Sequence, residues 1–218
     1  MLAAAGRGER LGSDRPKAFA RLAGRPLLAE SLERLETSEW IGAIVLVVPP
    51  GWEEPSILLA EELGCGKVTA SIPGGATRGD SVKLGLAEIA DDAAAVLVHD
   101  AARPLVTDDV IQRVLEPLAS GFDGAVPALP VADTIKRVAD ATVVETLPRA
   151  ELVAVQTPQA FEPSILRRAF AGDVAASSDC ASLVEAAGGR IAVVPGEQRL
   201  LKVTGPEDLA LVESWLAG

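Results

Sequence analysis

The chain contains few of the residues on which several classes of protein depend. Its 218 residues include two cysteines, one histidine and no tyrosine. Cys65 and Cys180 are too few for a disulfide framework and are not spaced as ligands of a structural zinc ion. A Ser-His-Asp hydrolase would have to use His99 as its base, and no Gly-x-Ser-x-Gly motif accompanies that residue. Disulfide scaffolds, zinc modules and serine hydrolases are therefore disfavoured.

Long hydrophobic runs and a positive net charge are also missing. The longest apolar stretches, such as residues 44–48, fall far short of the roughly 18 residues that a membrane helix needs. The N-terminus lacks a basic region followed by an apolar stretch of signal-peptide length, so we expect a soluble, cytoplasmic protein with no membrane partner. The formal net charge of -11 disfavours nucleic acid as a partner, because phosphate-backbone binding depends on dense lysine and arginine.

The positive charge that is present is concentrated near the N-terminus. Residues 1–25 carry six basic side chains against the two carboxylates of Glu9 and Asp14, a local charge of +4 in an acidic protein. The basic residues of this segment are Arg7, Arg10, Arg15, Lys17, Arg21 and Arg25. Positive charge beside a glycine-rich turn is suited to holding a small anion.

Apolar runs alternate with amphipathic stretches along most of the chain, whose 49% apolar content allows a full core. Residues 43–48 and 94–98 are continuously apolar and rich in β-branched side chains, as in strands buried on both faces of a parallel sheet. Strand-like segments also occur at 124–128, 153–156 and 191–194, and helical ones at 26–35, 53–63, 79–89, 108–118, 164–170, 178–187 and 206–216. The pattern predicts an α/β fold, a doubly wound, mostly parallel sheet with helices on both faces.

Residues 130–149 interrupt this alternation. Residues 134–138 and 142–146 are typical of two short, mostly polar strands that turn at Asp140 and Ala141. A hairpin with so little apolar surface does not form a core by itself and needs a second surface. We therefore predict a single domain, residues 1–218, from which a small β-hairpin arm at 130–149 protrudes.

The densest chemical pattern is LAAAGRGERLG at residues 2–12, followed by Pro16 and Lys17. Small residues at the end of a strand let backbone amides approach a phosphate, and Arg10 and Lys17 would supply charged contacts. The glycine spacing is one residue longer than the dinucleotide fingerprint, and no Gly-Lys-Ser/Thr follows as in a P-loop. From the glycine spacing alone, a phosphate-binding loop and a solvated loop that uses glycine for its turns remain equally open.

The whole segment nevertheless resembles the signature loop of sugar-phosphate nucleotidyltransferases, and later segments narrow the resemblance. These segments are GGATRGDSV at 74–82, VHDAARP at 98–104, VADTIK at 131–136, QTPQAF at 156–161 and KVTGPEDL at 202–209. They follow the order and approximate spacing of the 2-C-methyl-D-erythritol 4-phosphate cytidylyltransferases, so the chain is similar to that family over nearly its whole length. The resemblance implies a Rossmann-like enzyme of non-mevalonate isoprenoid biosynthesis. Such an enzyme joins CTP to 2-C-methyl-D-erythritol 4-phosphate, with Mg2+ as cofactor, and releases pyrophosphate.

The resemblance also implies roles for particular residues. Lys17 and Lys202 would stabilise the transition state at the α-phosphate, Arg10 would hold the triphosphate, and Asp100 would bind Mg2+. The residues that would bind CTP are Ala4, Ala5, Gly6, Gly8, Gly75, Ser81, Asp100 and Ala101. The residues that would bind the alcohol phosphate are Arg103, Thr134, Arg149, Thr157 and Ser178.

Two further expectations concern the reaction and the assembly. The substrate phosphate is already a nucleophile, so in-line attack needs no histidine base, and His99 is interpreted as structural. In the family the arm reaches across a two-fold axis, which implies a homodimer with shared active sites. Thr134 and Arg149 would then complete the site of the neighbouring subunit.

The sequence departs from the family pattern at a few positions. Ser178 stands where threonine is usual, Cys180 where an acidic residue is usual, and Leu200 where asparagine is common. Met1 and Leu2 alone precede Ala3 in the first strand, and a strand this short is expected to weaken the triphosphate loop. Two alternatives therefore stay open: a cytidylyltransferase for ribitol 5-phosphate or another polyol phosphate, and a non-catalytic nucleotide-binding module.

Overall fold

Strands and helices alternate along the chain in the computed structural model, which describes residues 1–6, 8–12, 15–174, 177 and 179–217. The strands are β1 (Leu2–Ala3), β2 (Arg21–Leu22), β3 (Arg25–Pro26), β4 (Ile44–Val48), β5 (Val68–Pro73), β6 (Val96–Asp100), β7 (Gly124–Pro130), β8 (Ile135–Ala139), β9 (Thr142–Leu147), β10 (Val153–Val155), β11 (Gln159–Phe161) and β12 (Ile191–Pro195). The α-helices are α1 (Leu27–Thr37), α2 (Glu53–Glu62), α3 (Arg78–Leu86), α4 (Asp108–Ala119), α5 (Pro163–Ala169), α6 (Cys180–Ala186) and α7 (Pro206–Ala217).

Eight of the strands form one sheet in which neighbours run in the order β10-β7-β11-β6-β1-β4-β5, with β12 also paired to β7. The two-residue strand β1 lies inside this sheet, where Leu2 is in register with Leu46 of β4 and His99 of β6. Those pairs are parallel, as are β4 with β5 and β7 with β12. The strands β10 and β11 run antiparallel to β7. The predicted mostly parallel sheet is thus confirmed.

Helices cover both faces of the sheet, as the continuous apolar strands require. All five residues of β4 are buried, and adjacent ones point to opposite faces: Leu46 belongs to a cluster with Leu32 of α1, and Val47 to a cluster with Val82 of α3. Helix α4 adds Ile111 to the first cluster. The doubly wound layer arrangement follows from these two cores.

Two helices begin one or two residues away from their predicted starts, and their N-terminal caps account for the observed starts. The helix predicted at 79–89 begins at Arg78, since Thr77 and Asp80 form a capping box in which the Asp80 amide donates to Thr77 Oγ1 at 3.0 Å. The helix predicted at 178–187 begins at Cys180, because the side chain of Asp179 caps its first turn. Strands β5 and β11 were not predicted: β5 is only half-buried, and β11 is three residues long.

The hairpin arm is present and forms a two-stranded sheet of its own, β8 with β9. Asp140 and Ala141 make the turn with positive φ values of 46° and 60°, which suit a tight hairpin. Most arm side chains are exposed, and Val138, Val143 and Val144 are each 56% exposed. The arm therefore carries more apolar surface than its polar sequence pattern predicts.

None of the helices in the described part of the chain is long and apolar enough to span a lipid bilayer.

Candidate active site

A cavity of about 650 Å³ opens at the carboxyl ends of β1, β4, β5 and β6. Carboxyl ends of parallel strands share one edge of a sheet, which is where open α/β sheets bind ligands. The cavity brings together residues from both ends of the chain, including Lys17 and Lys202. The predicted site residues that line it are Ala4, Ala5, Gly6, Lys17, Gly75, Ser81, Asp100, Ala101 and Lys202.

The loop after β1 sets the position of Lys17. Gly8 has a φ of +72°, and a Cβ added there would lie 2.6 Å from Cβ of Lys17. Glycine is therefore required both for the backbone conformation and for the close approach of the two segments. The Lys17 amide donates to the Gly6 carbonyl at 3.4 Å, which ties the lysine to the loop. Arg10 is exposed and lies outside the cavity lining.

The segment between β5 and α3 forms the opposite wall. The Gly74 amide donates to the Val48 carbonyl at 2.7 Å, and a Cβ on Gly74 would lie 2.4 Å from Cβ of Ala5. The Ser81 hydroxyl accepts from the Gly75 amide at 3.1 Å and donates to the Thr77 carbonyl at 2.9 Å. The serine thus holds the wall in shape through hydrogen bonds on both sides of its hydroxyl.

Asp100 lies in the floor of the cavity and is 6% exposed. Its Oδ1 accepts hydrogen bonds from Nε and Nη2 of Arg78 at 3.2 and 3.1 Å, and its Oδ2 accepts one from Nζ of Lys202 at 2.7 Å. Burial alone would raise the pKa of Asp100, but the charges of Arg78 and Lys202 hold it well below its ordinary value. The carboxylate is therefore ionised over the whole physiological range.

Lys17 is influenced by the same group of charges. The pKa of Lys17 is lowered from 10.5 to about 8, mainly by burial and then by the charge of Lys202, while the charge of Asp100 opposes the change. Two lysines held near one another in a half-buried cavity create a positive site without an equal number of carboxylates. Such a site is suited to a polyanion, because phosphate oxygens would satisfy both ammonium groups.

Behind Asp100 lies a chain of buried hydrogen bonds. The Asp100 amide donates to Thr157 Oγ1 at 3.0 Å, Thr157 Oγ1 lies 3.1 Å from Nδ1 of His99, and Nε2 of His99 lies 3.1 Å from the Arg103 carbonyl. The carbonyl accepts only, so Nε2 carries the proton and Thr157 donates to Nδ1 of a neutral ring. Burial lowers the pKa of His99 to about 4, which agrees with a neutral ring. The structural role expected for His99 is confirmed.

Two predicted substrate residues on the same side lie outside the cavity lining. Thr157 is 4% exposed, and its hydroxyl is already used by Asp100 and His99. Arg103 donates from Nη1 to the Leu200 carbonyl at 2.6 Å, and its buried Nε has no partner among the described residues. Arg103 thus joins the turn after β6 to the segment that carries Lys202.

The predicted arm residues are not brought to this cavity by their own chain. Thr134 and Arg149 are exposed at the base of the arm, where a guanidinium nitrogen of Arg149 donates to the Ala132 carbonyl. Ser178 lies outside the described residues. The cavity of one chain therefore contains the predicted CTP residues except Gly8, and it lacks the predicted arm residues.

Arg78 is the residue that the sequence interpretation missed. It lines the cavity, holds Asp100 through two nitrogen atoms, and donates from Nη1 to Sγ of Cys180 at 3.5 Å. Burial raises the pKa of the Cys180 thiol to about 11. Cys180, which departs from the family pattern, is therefore a neutral thiol and a weak hydrogen-bond acceptor. The sequence feature that could have indicated this role is the position of Arg78 three residues after Gly75, at the start of a helix.

The possible metal ligands are few. No group of three or more His, Cys, Asp or Glu side chains able to hold a metal ion occurs among the described residues. Mg2+ often binds through one or two carboxylates and completes its coordination with phosphates and water. The buried, ionised carboxylate of Asp100 fits that pattern as a single protein ligand.

The comparisons with known proteins all indicate one family. A family model described as 2-C-methyl-D-erythritol 4-phosphate cytidylyltransferase matches residues 1–217. A protein of that name from Frankia casuarinae is 45% identical over 218 residues, which are 100% of this chain and 80% of that protein. The crystal structure of the enzyme of that name from Thermus thermophilus has a TM-score of 0.79 and 35% identity, and the match covers 100% of this chain and 98% of that one. A 4-diphosphocytidyl-2C-methyl-D-erythritol synthase from Anaerococcus prevotii has a TM-score of 0.85 and 25% identity, with 100% and 96% covered.

Proposed function

Because the chain belongs to the 2-C-methyl-D-erythritol 4-phosphate cytidylyltransferase family, we propose that the cavity at the sheet edge is where its reaction takes place. The enzyme joins CTP and 2-C-methyl-D-erythritol 4-phosphate, giving 4-diphosphocytidyl-2-C-methyl-D-erythritol and pyrophosphate in isoprenoid biosynthesis. The observation that carries the proposed site is the convergence of Lys17, Asp100 and Lys202 on one cavity from distant parts of the chain. The ribitol phosphate and non-catalytic alternatives gain no support from the family match or from the site.

The mechanism that this site supports is a direct in-line displacement. A phosphate oxygen of the alcohol phosphate attacks the α-phosphorus of CTP, and the bond from that phosphorus to the leaving pyrophosphate breaks. No base is needed, because the attacking oxygen is already anionic. Lys17 and Lys202 would stabilise the additional negative charge on the α-phosphate, and Arg10 would contact the outer phosphates.

Mg2+ is proposed as the cofactor because the described residues place one carboxylate, that of Asp100, in the cavity lining. Asp100 would hold the ion together with phosphate oxygens of the nucleotide. When bound, the ion would neutralise triphosphate charge and favour departure of pyrophosphate.

The wall made by the segment from β5 to α3 is proposed as the cytidine pocket. Gly74 packs closely against Ala5, and Ser81 holds the Gly75 amide, so small residues shape this wall. We expect a pocket shaped in this way to admit a pyrimidine and to leave little room for a purine.

A homodimer with shared sites is proposed for the arm. Thr134 and Arg149 lie outside the cavity of their own chain, and the arm exposes three valines that a partner could bury. In this arrangement Thr134 and Arg149 bind the alcohol phosphate in the neighbouring subunit, with Ser178 predicted on its other side. Arg103 and Thr157 lie outside the cavity lining, and the Thr157 hydroxyl is used by Asp100 and His99, so we propose that these two residues position the site and do not contact the substrate. A cytoplasmic location stays a prediction.

The experiment that tests the function is release of pyrophosphate from CTP in the presence of each alcohol phosphate. We expect turnover with 2-C-methyl-D-erythritol 4-phosphate and at least about tenfold lower kcat/KM with ribitol 5-phosphate. ATP and GTP serve as nucleotide controls, and Asp100→Asn serves as the inactive protein control. Equal turnover of both alcohols, or CTP binding without pyrophosphate release, would contradict the proposal.

A further inference from the structure

The two carboxylate oxygens of Asp100 are held in different ways. Oδ1 accepts two hydrogen bonds from the fork of Arg78, at 3.2 and 3.1 Å. Oδ2 accepts one hydrogen bond, at 2.7 Å, from the flexible ammonium arm of Lys202. The side chain of Lys202 is 41% exposed and that of Arg78 is 27% exposed, so the partner of Oδ2 is the more accessible of the two.

The proposed function needs both ends of the Lys202–Asp100 pair for other contacts. Lys202 would have to reach the α-phosphate, and Asp100 would have to offer an oxygen to a divalent cation. Both oxygens of Asp100 already face a positive group, and a metal ion placed beside the ammonium group would be strongly repelled by it. The metal contact therefore requires that one of the two present partners leave the carboxylate.

We propose that Lys202 and the divalent cation exchange places on Oδ2 of Asp100, an inference that rests on the proposed function. In the free protein Lys202 occupies the oxygen that the cation would use. When the cation binds there, Lys202 is released into the cavity, where the α-phosphate would accept it. Arg78 stays on Oδ1 and is the positioning residue that keeps the carboxylate oriented during the exchange.

The charges of the cavity show why the exchange would accompany nucleotide binding. Among the described residues that line the cavity, Lys17, Arg78 and Lys202 are positive and Asp100 is the one carboxylate, so this lining has an excess of positive charge. A divalent cation alone would add to that excess, whereas one that arrives with a triphosphate would reduce it. The bond from Lys202 to Asp100 thereby disfavours unproductive metal binding to the empty protein.

The test measures Mn2+ binding to the nucleotide-free protein by electron paramagnetic resonance of the free ion. Loss of the competing hydrogen bond in Lys202→Gln should tighten Mn2+ binding roughly tenfold relative to wild type. Lys17→Gln is the matched control, because it removes the same charge from the same cavity without touching Asp100. We expect its effect to be about twofold, since only a screened, longer-range repulsion is lost.

Asp100→Asn in the Lys202→Gln background should abolish the gain in Mn2+ affinity. Equal effects of Lys202→Gln and Lys17→Gln, or no effect of either, would overturn the exchange. Circular dichroism melts check that each variant is folded.

A second measurement uses the unmodified protein and so does not depend on folding of a variant. Acetylation of Lys202 is followed by mass spectrometry without Mn2+ and with Mn2+ at a concentration that the first measurement shows to fill the site, and Lys83, exposed on α3, is the internal reference. Release from Asp100 should raise the labelling rate of Lys202 severalfold, because a charged hydrogen bond no longer protects its amine from the reagent. An unchanged rate would overturn the proposal.

Neither measurement contains CTP or an alcohol phosphate, so the two claims can fail separately. A protein that releases pyrophosphate but shows no Lys202-specific effect loses the exchange alone. A protein that shows the exchange but no turnover loses the proposed function.

Discussion

The cavity and the arm satisfy their polar side chains in opposite ways. In the cavity, the Asp100 carboxylate accepts hydrogen bonds from Arg78 and Lys202, and the Asp100 amide donates one to Thr157, all within one chain. On the arm, Thr134 and Arg149 are exposed, and the valines beside them face solvent. The cavity is therefore organised within one chain, whereas the arm residues remain available for contact with another molecule, as the proposed shared site requires.

The largest effect is expected for the cavity lysines. Lys17→Gln should lower kcat by roughly two to three orders of magnitude, because one preorganised contact to the transition state is lost. Pyrophosphate release measures the effect, and Lys83→Gln, on the exposed side of α3, is the matched control with the same charge change. Near-normal turnover of a folded Lys17→Gln protein would remove Lys17 from the site.

The pH dependence should report the same lysine. Its pKa is lowered to about 8, so the charge is present below that pH and is lost as the pH rises through it. We expect kcat/KM to fall about tenfold between about pH 7 and about pH 9, the range in which the protonated fraction of Lys17 falls.

Lys17→Arg is the control for that profile, because a guanidinium keeps its charge across this range. A profile with the same decline in Lys17→Arg would assign the titration to another group.

A smaller effect is expected behind the cavity, at Thr157. Thr157→Val leaves the buried Asp100 amide and His99 Nδ1 without their shared partner, and we expect about a tenfold loss of kcat with CTP saturating. Thr157→Ser keeps the hydroxyl and should recover most of it. If Thr157 instead contacts the alcohol phosphate, as the family resemblance implies, Thr157→Val would raise only the KM for that substrate.

Part of this site could be predicted from the sequence. The family resemblance placed Lys17 and Lys202 together at the α-phosphate, and the position of Asp100 directly after an apolar strand placed it at the ligand-binding edge of the sheet. The structure brings all three residues into one cavity. The sequence alone did not indicate a role for Arg78, because an arginine at the start of a helix is most often solvated. Its role appears only when α3 is packed beside β6 and Asp100 comes within hydrogen-bond distance.

The fold was predictable to a similar extent. Fully buried strands such as β4 have continuous apolar sequences, and their periodicity identifies them. Strand β11 follows the cis Thr157-Pro158 bond and owes its position to pairing with β6 and β7, which are distant in sequence. The direction of the Thr157 hydroxyl depends on that same tertiary pairing, so no local pattern could have indicated it.

The central claim is that each active site combines the cavity of one chain with the arm of another. Lys17→Ala and Arg149→Ala are prepared separately, shown to be inactive, then unfolded together in equal amounts and refolded. Random pairing makes about half of the dimers mixed. Each mixed dimer carries both lesions in one site and none in the other, so activity should return to roughly a quarter of wild type. If the mixture is no more active than its parents, every site is built from a single chain, and the shared-site account is contradicted.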